Sequence, residues 1–305
     1  MELNRKNYFS KEAEDKYLGS SSLKAWDRYH EATEVFGHEV GGGCEAREIA
    51  KVVGEWEDKE KKCFLIGNYI HSYFSSKEDF QDFCNENHST IYKPKGGTYA
   101  DFVKAGEMIA TLEKDKVVME FMKGEHEQIF TGKIAGVEFK IQVDILNIER
   151  GYFADIKTTE NITKKHYNSK TKEKESFIHK YDYFLQFAIY SEILRQNYGF
   201  IIEKYSEKYS AKELSKIIEL EKTNEYMDCY IIAVDKQPIP GKEIIYMQTD
   251  LFIKEKLEEI ELKLPNIMAV RNGEIEPVRC NSCDYCRSTK IIKQPIHYLD
   301  LLEDN

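Results

Sequence analysis

The stretch EHEQIFTGKIAGVEFKIQVDILNIERGYFADIKTTE, Glu125 to Glu160, decides how the rest of the chain is read. Its pattern is strand, turn, strand, turn, strand. Val137 to Leu146 (VEFKIQVDIL) and Tyr152 to Thr158 (YFADIKT) are rich in β-branched and aromatic residues. Between them Asn147 to Gly151 carries turn chemistry. Two antiparallel strands joined this way lie side by side. Alternation along the second places Asp155 and Lys157 on one face, and Asp144 on the neighbouring strand can reach that face.

Two close carboxylates both stay ionised only if a cation lies between them. Hard oxygen ligands select Mg²⁺ or Mn²⁺ over softer metals. A lysine beside them can orient or deprotonate a water and balance charge on a phosphate. The same D-x-K triplet, taken alone, also fits a solvated salt-bridge ladder on an exposed sheet face.

The 305 residues allow one large domain or two small ones, and the 41% apolar share is enough for a core. No apolar run is long enough to span a bilayer, and MELNRKNYFSKEAEDK has no signal-peptide core, so a soluble, cytoplasmic protein is expected. Seven cysteines, four of them scattered (Cys44, Cys63, Cys84, Cys229), fit a reducing compartment better than a disulfide framework. The net charge of −10 means that any affinity for phosphates must come from a local patch or a metal.

Outward from the central stretch, Gly19 to Phe36 carries a helical pattern behind a serine N-cap, with Leu23 and Trp26 on one stripe. Glu45 to Ser76 is largely helical in pattern, and in its apolar later part Gly67 and His71 are four apart and share a face. A histidine there can point into a site, or be a hydrogen-bonded core residue. Phe80 to Asn87 reads as a short helix, Ile91 to Thr98 as a loop, and Tyr99 to Lys123 as a helix. Lys164, Lys165, Lys170, Lys172, Lys174 and Lys180 crowd a segment with no apolar periodicity. It reads as a solvated loop, as a phosphate-gripping one, or as both. Tyr181 to Tyr198 is the strongest amphipathic helix, with Gln186 and Tyr190 four apart; a glutamine on so apolar a helix needs a partner. Ala211 to Glu221 reads as a polar helix. Asp228 to Asp235 and Glu243 to Gln248 read as a further hairpin that extends the sheet. Leu251 to Arg271 reads as a long helix that Pro265 should kink or break.

Taken in order, Gly67 with His71, Asp144, Asp155 with Lys157, and Gln186 with Tyr190 resemble the PD-(D/E)xK nuclease superfamily, and most closely its RecB-like branch. The likeness spans roughly Ser20 to Cys286. The SSLKAW start and the cysteine-bearing tail are similar to phage-type RecE exonucleases. The resemblance implies an α/β restriction-endonuclease-like core, with a central mixed sheet flanked by helices and an N-terminal helical region. It implies one nuclease domain over 1–305: a mainly helical part to 123, the catalytic sheet and helices over 124–271, and the cysteine tail over 272–305. It also implies Mg²⁺ or Mn²⁺ held by His71, Asp144, Asp155 and the Ile156 carbonyl, with Lys157 positioning water and Gln186 and Tyr190 supporting the site and contacting the strand. Glu125 or Glu127 would add a further carboxylate, and Lys164, Lys165, Lys170, Lys172 and Lys174 would contact DNA. The implied reaction is hydrolysis from the ends of linear double-stranded DNA in phage-type recombination, beside a single-strand annealing protein, with a homo-oligomer left open. The alternatives are a single-strand or structure-specific nuclease of the same branch, and an inactive nucleic-acid-binding module.

Some RecB-like nucleases carry a four-iron cluster on three C-terminal cysteines and one distant N-terminal cysteine. Here Cys280, Cys283 and Cys286 are spaced C-x₂-C-x₂-C, where the family has a longer second gap. Asp27-Arg28-Tyr29 stands where the N-terminal ligand would be, and Cys44 lies well past it. Three cysteines do not complete a tetrahedral site. The expectation is therefore reduced cysteines packed on the core. The alternatives are an iron–sulfur cluster or a zinc ion, for which His297 is a candidate fourth ligand.

Overall fold

In the computed structural model the central stretch forms three antiparallel strands: β1 (Glu125–Ile134), β2 (Val137–Asn147) and β3 (Tyr152–Thr159). They are followed by β4 (Asp228–Asp235), parallel to β3, and β5 (Lys242–Tyr246), antiparallel to β4, so that one mixed sheet has the order β1-β2-β3-β4-β5. The structure describes residues 2–30, 33–35, 38–40, 42–58, 62–168, 172–247, 250–292, 294–295 and 297. Among these, no helix is long and apolar enough to cross a membrane.

Six helices matter for the site: α1 (Ser20–Trp26), α2 (Glu45–Val52), α3 (Lys62–Ser75), α4 (Ala100–Glu113), α5 (Tyr183–Gln196) and α6 (Asp250–Arg271). One face of the sheet, with Phe139, Ile141, Val143 and Phe153, packs on Phe187, Ile189 and Ile193 of α5 and on Ile260, Leu264 and Ile267 of α6. The other face, with Ala154, Ile156, Ile232 and Val234, packs on Ile66 and Ile70 of α3 and on Ala105, Met108 and Leu112 of α4. The result is a helix–sheet–helix sandwich of the restriction-endonuclease-like kind.

Strand alternation does not run evenly through β2. Val143 joins the first core and Ile145 the second, although residues two apart on a regular strand share a face. The phase changes at Asp144. Glu127, which lies between the pairs His126↔Ile145 and Gln128↔Val143, has φ 54° there, a backbone region that non-glycine residues seldom occupy.

Several expected elements are cut shorter. The helix expected over Gly19 to Phe36 ends at Trp26: Asp27 is extended, and its side chain takes the Tyr29 N–H. A small hairpin, Thr33–Val35 with His38–Val40, follows. The pattern from Glu45 to Ser76 divides at Gly54, whose φ of 79° ends α2. The one from Tyr99 to Lys123 divides at Asp115, which caps a second helix, Lys116–Phe121. The lysine-rich segment is not wholly irregular. His166–Asn168 pairs with Glu173–Glu175, and the buried Phe177 anchors the turn of helix behind it. Pro265 does not end α6, which continues to Arg271. The bond it removes would have gone to the carbonyl of the exposed Glu261, and the buried Leu264, Ile267 and Val270 hold the last turns in place.

Candidate active site

The last antiparallel pair between β2 and β3 on the site's side is Ile145↔Ala154. Beyond it Asp144 Oδ2 accepts the Ile156 backbone N–H at 2.8 Å, so a side-chain carboxylate replaces a ladder carbonyl. From α3, His71 Nδ1 approaches the same oxygen at 3.2 Å. The left-handed Glu127 turns its carboxylate to the same point, where the Gln142 amide also donates to it. His71, Glu127 and Asp144 each offer a ligand atom within 4.8 Å of the others.

Asp155, 3% exposed, takes a hydrogen bond from Gln186 Nε2 of α5 on Oδ1 and has the Lys157 ammonium 2.5 Å from Oδ2. Buried Oδ2 has no hydrogen bond of good geometry beyond that charge contact. Lys157 also lies over the Tyr183 ring, 4.9 Å from its centroid. Tyr190 is buried against Phe153, with its hydroxyl at the Gln142 backbone. Gly67 faces Thr158, where an added Cβ would make only ordinary contact at 3.8 Å.

The charges are strongly coupled. Burial favours neutral His71, but Asp144, with Asp155 behind it, lifts its pKa to about 9. Burial opposes ionisation of Asp144, yet His71 and Lys157 hold it below its ordinary value. Burial, then Asp144, pushes Glu127 up to about 7. Burial raises Asp155 too, against the pull of Lys157. Burial pulls the Lys157 pKa down, but Asp155 more than reverses that, so it stays an ammonium.

This donor set fits a hard divalent ion: two carboxylates and an imidazole converge, and Asp155, outside that group of three, interacts electrostatically with Asp144 and His71; an ion there would take the place of the proton that these carboxylates now hold on His71.

All of these residues line one open cleft: Gly67, His71, Glu127, Asp144, Asp155, Ile156, Lys157, Gln186 and Tyr190. Glu125 does not, being paired with Lys208 at 2.6 Å and with Tyr209 at 2.5 Å. Lys164, Lys165, Lys172 and Lys174 are also absent from the lining; Lys164 pairs with Glu160 at 2.8 Å, and Lys170 lies outside the described residues. Cations in the cleft lining come instead from Arg5, Lys6, Lys11, Lys24 and Lys140, interspersed with Glu14, Asp15, Asp79 and Asp82, and Phe9 is 78% exposed among them; Arg5 is paired with Asp79. Sequence reading missed these cations, because they are scattered over three segments and only folding gathers them. Lys140 is the fixed point. It is buried and paired with Glu14, and its ammonium lies 4.6 Å from the Tyr8 ring centroid.

A second group of side chains gathers at the tail. Cys44, which caps α2, meets Cys280, Cys283 and Cys286, and all four sulfurs lie within 4.8 Å of one another. The hairpin at Thr33–Val35 and His38–Val40 returns the chain to α1, where Cys44 N–H bonds the Ala25 carbonyl at 2.9 Å. Gly43 makes the return possible, since a Cβ there would overlap the Asp27 carbonyl oxygen. His297 is exposed and outside the group.

Residues 19–289 match the family model described as a PDDEXK-like domain of unknown function. A crystal structure described as a "putative exonuclease" from Eubacterium rectale is 31% identical over 99% of this chain and 98% of that one, with a TM-score of 0.81. No curated protein matches.

Proposed function

This chain belongs to the PDDEXK-like family and has a nuclease fold, and we propose that it is a divalent-metal-dependent DNA exonuclease working from the ends of linear duplex DNA. The observation that carries the reading is the convergence of His71, Glu127 and Asp144 beside the Asp155–Lys157 pair in a cleft wide open to solvent.

His71, Glu127, Asp144 and Asp155, with the Ile156 carbonyl, are the groups that would hold Mg²⁺ or Mn²⁺. Glu127, rather than Glu125, supplies the additional carboxylate. When bound, the ion polarises the phosphate and makes a water more acidic. The chain's own part is placement. Gln186 fixes one oxygen of Asp155, and the Ile156 N–H fixes one oxygen of Asp144. Lys157, beside Asp155, is placed to meet a phosphate oxygen and to orient the water. Lys6 and Lys11 on the cleft wall are the cations placed to meet a polyanion in a chain whose net charge is −10.

End dependence is supported by the description of the Eubacterium rectale protein as a "putative exonuclease", whereas a role in phage-type recombination and work beside a single-strand annealing protein rest on the RecE-like start SSLKAW alone. The lysine-rich hairpin remains a candidate outer DNA contact.

The test is digestion of linear duplex DNA labelled at its 5′ or 3′ end, with closed circular DNA as control. Loss of linear DNA alone supports the reading, and the label released first gives the polarity. Cutting of circles, or attack on single strands only, supports a structure-specific or single-strand nuclease instead. Binding without cleavage supports an inactive module.

A further inference from the structure

We propose that Cys44, Cys280, Cys283 and Cys286 hold a single tetrahedral zinc ion, not the four-iron cluster that the RecB-like resemblance suggests, and that this ion staples the C-terminal tail to helix α2. The inference stands whether or not the chain cuts DNA.

Spacing is the first argument. Cys44 Sγ lies 3.5 Å from Cys286 Sγ, Cys280 Sγ lies 3.9 Å from Cys286 Sγ, and no separation in the group exceeds 4.8 Å. Zinc–sulfur bonds of about 2.3 Å in a tetrahedron put the sulfurs about 3.8 Å apart. In a four-iron cluster each thiolate binds its own iron at a different corner, so the sulfurs stand farther apart than around one ion. Nor is the group a pair of disulfides: Cys44 and Cys286 are well beyond the bonded distance of about 2.05 Å, and all four cysteines are free.

The backbone supplies the second argument. Asn281 takes φ 62°, which turns the first C-x₂-C so that Cys283 N–H points at Cys280 Sγ, 3.3 Å away. Ser282 Oγ donates to the same sulfur at 3.5 Å, and Cys286 N–H points at Cys283 Sγ at 3.5 Å. Donors aimed at sulfur favour the thiolate that a metal requires.

The third argument is what holds the tail. The small core here consists of Cys44, Ala46 and Cys286, with Cys280, Cys283 and Tyr285 at its edge. That is too little apolar surface to fix a chain end. Glu45 accepts the Val278 N–H at 2.8 Å and positions the tail against α2, but the sulfurs are what close it. Because α2 also sends Glu48, Lys51 and Val52 into the cleft wall, the staple braces one side of the candidate active site.

The test is elemental analysis of the full-length protein, purified under reducing conditions without chelator, together with its visible spectrum. Stepwise thiol modification with a mercurial is then followed with a zinc-sensitive dye. About one zinc per chain, no visible absorption, and release of that zinc as four thiols react are the expected results. Cys283→Ser, at a half-exposed position, is expected to lose the zinc and to make the chain beyond Arg279 sensitive to protease. Should Cys44→Ser fail to fold, the wild-type analysis and Cys283→Ser still decide. Iron, with or without acid-labile sulfide, would overturn the proposal, as would metal-free protein or zinc that persists in Cys283→Ser.

Discussion

Asp144 accepts the Ile156 backbone N–H at 2.8 Å, so one carboxylate both closes the sheet and faces the cleft. Its other neighbour, His71, is 3.2 Å away and lifted to about 9 by that contact, against the effect of burial. A histidine pKa raised above its unfolded value near 6.5 stabilises the fold fully below that pH, and the contribution is lost as pH rises through 9. The shift is worth on the order of 3 kcal/mol. Glu127, raised to about 7 by burial and then by Asp144, loses stability in the same direction. In EDTA the melting temperature is therefore expected to fall between pH 6 and 9, and Mg²⁺ to flatten the fall. His71→Asn should reduce the slope in EDTA. A flat profile for the metal-free wild type would contradict this account.

Lys157 and Asp155 form a buried pair, with side chains 17% and 4% exposed. Removing one member of such a pair costs about 3–5 kcal/mol, because the other charge is left uncompensated. Lys157→Ala should lower stability in denaturant titrations by about that much in the absence of metal, and abolish cleavage. Lys157→Met combined with Asp155→Asn should regain most of the stability and stay inactive. Equal stability of Lys157→Ala and the wild type would show that the pair is not buried as described.

Gln186 holds Oδ1 of Asp155 and is expected to act on the reaction through it. Outer residues of this kind change metal affinity or activity by about 10–100-fold when removed. Gln186→Ala is expected to raise the Mg²⁺ concentration needed for half-maximal cleavage by that factor, while saturating Mg²⁺ restores much of the rate. Loss of rate that no metal concentration restores would assign Gln186 a different role.

Phe9 is 78% exposed in the cleft lining, with Tyr8 edge-on behind it, ring centroids 4.9 Å apart. An exposed ring so backed is expected to act as a stacking platform, and stacking on a base is worth about 1–3 kcal/mol. Fluorescence anisotropy in EDTA should show weaker binding of a single-stranded oligonucleotide to Phe9→Ala, and near wild-type binding to Phe9→Trp. Unchanged affinity in Phe9→Ala would remove the ring from the binding surface.

The sheet was legible in the sequence because β-branched alternation, turn residues and the ordered polar motifs all point the same way from Glu125 to Thr159. Its mixed order and the two flanking helix layers followed from the motif order. Contacts made across long separations were not legible. Glu127 is set apart from Glu125 by a left-handed backbone angle at the phase change of β2, which no spacing rule reports. Cys44 joins the tail only because the hairpin before it folds out and back. The cleft lining draws on Arg5, Lys24 and Lys140, each unremarkable in its own segment.

The carboxylates around His71 are expected to hold a divalent ion that cleavage requires. The most direct measurement is degradation of linear duplex DNA by the wild type and by Asp144→Asn, in Mg²⁺ and in EDTA, with Mn²⁺ binding to both proteins followed in parallel. The account predicts cleavage by the wild type in Mg²⁺ only, and loss of both Mn²⁺ binding and cleavage in Asp144→Asn. Cleavage that persists in EDTA, or in a folded Asp144→Asn, would contradict it.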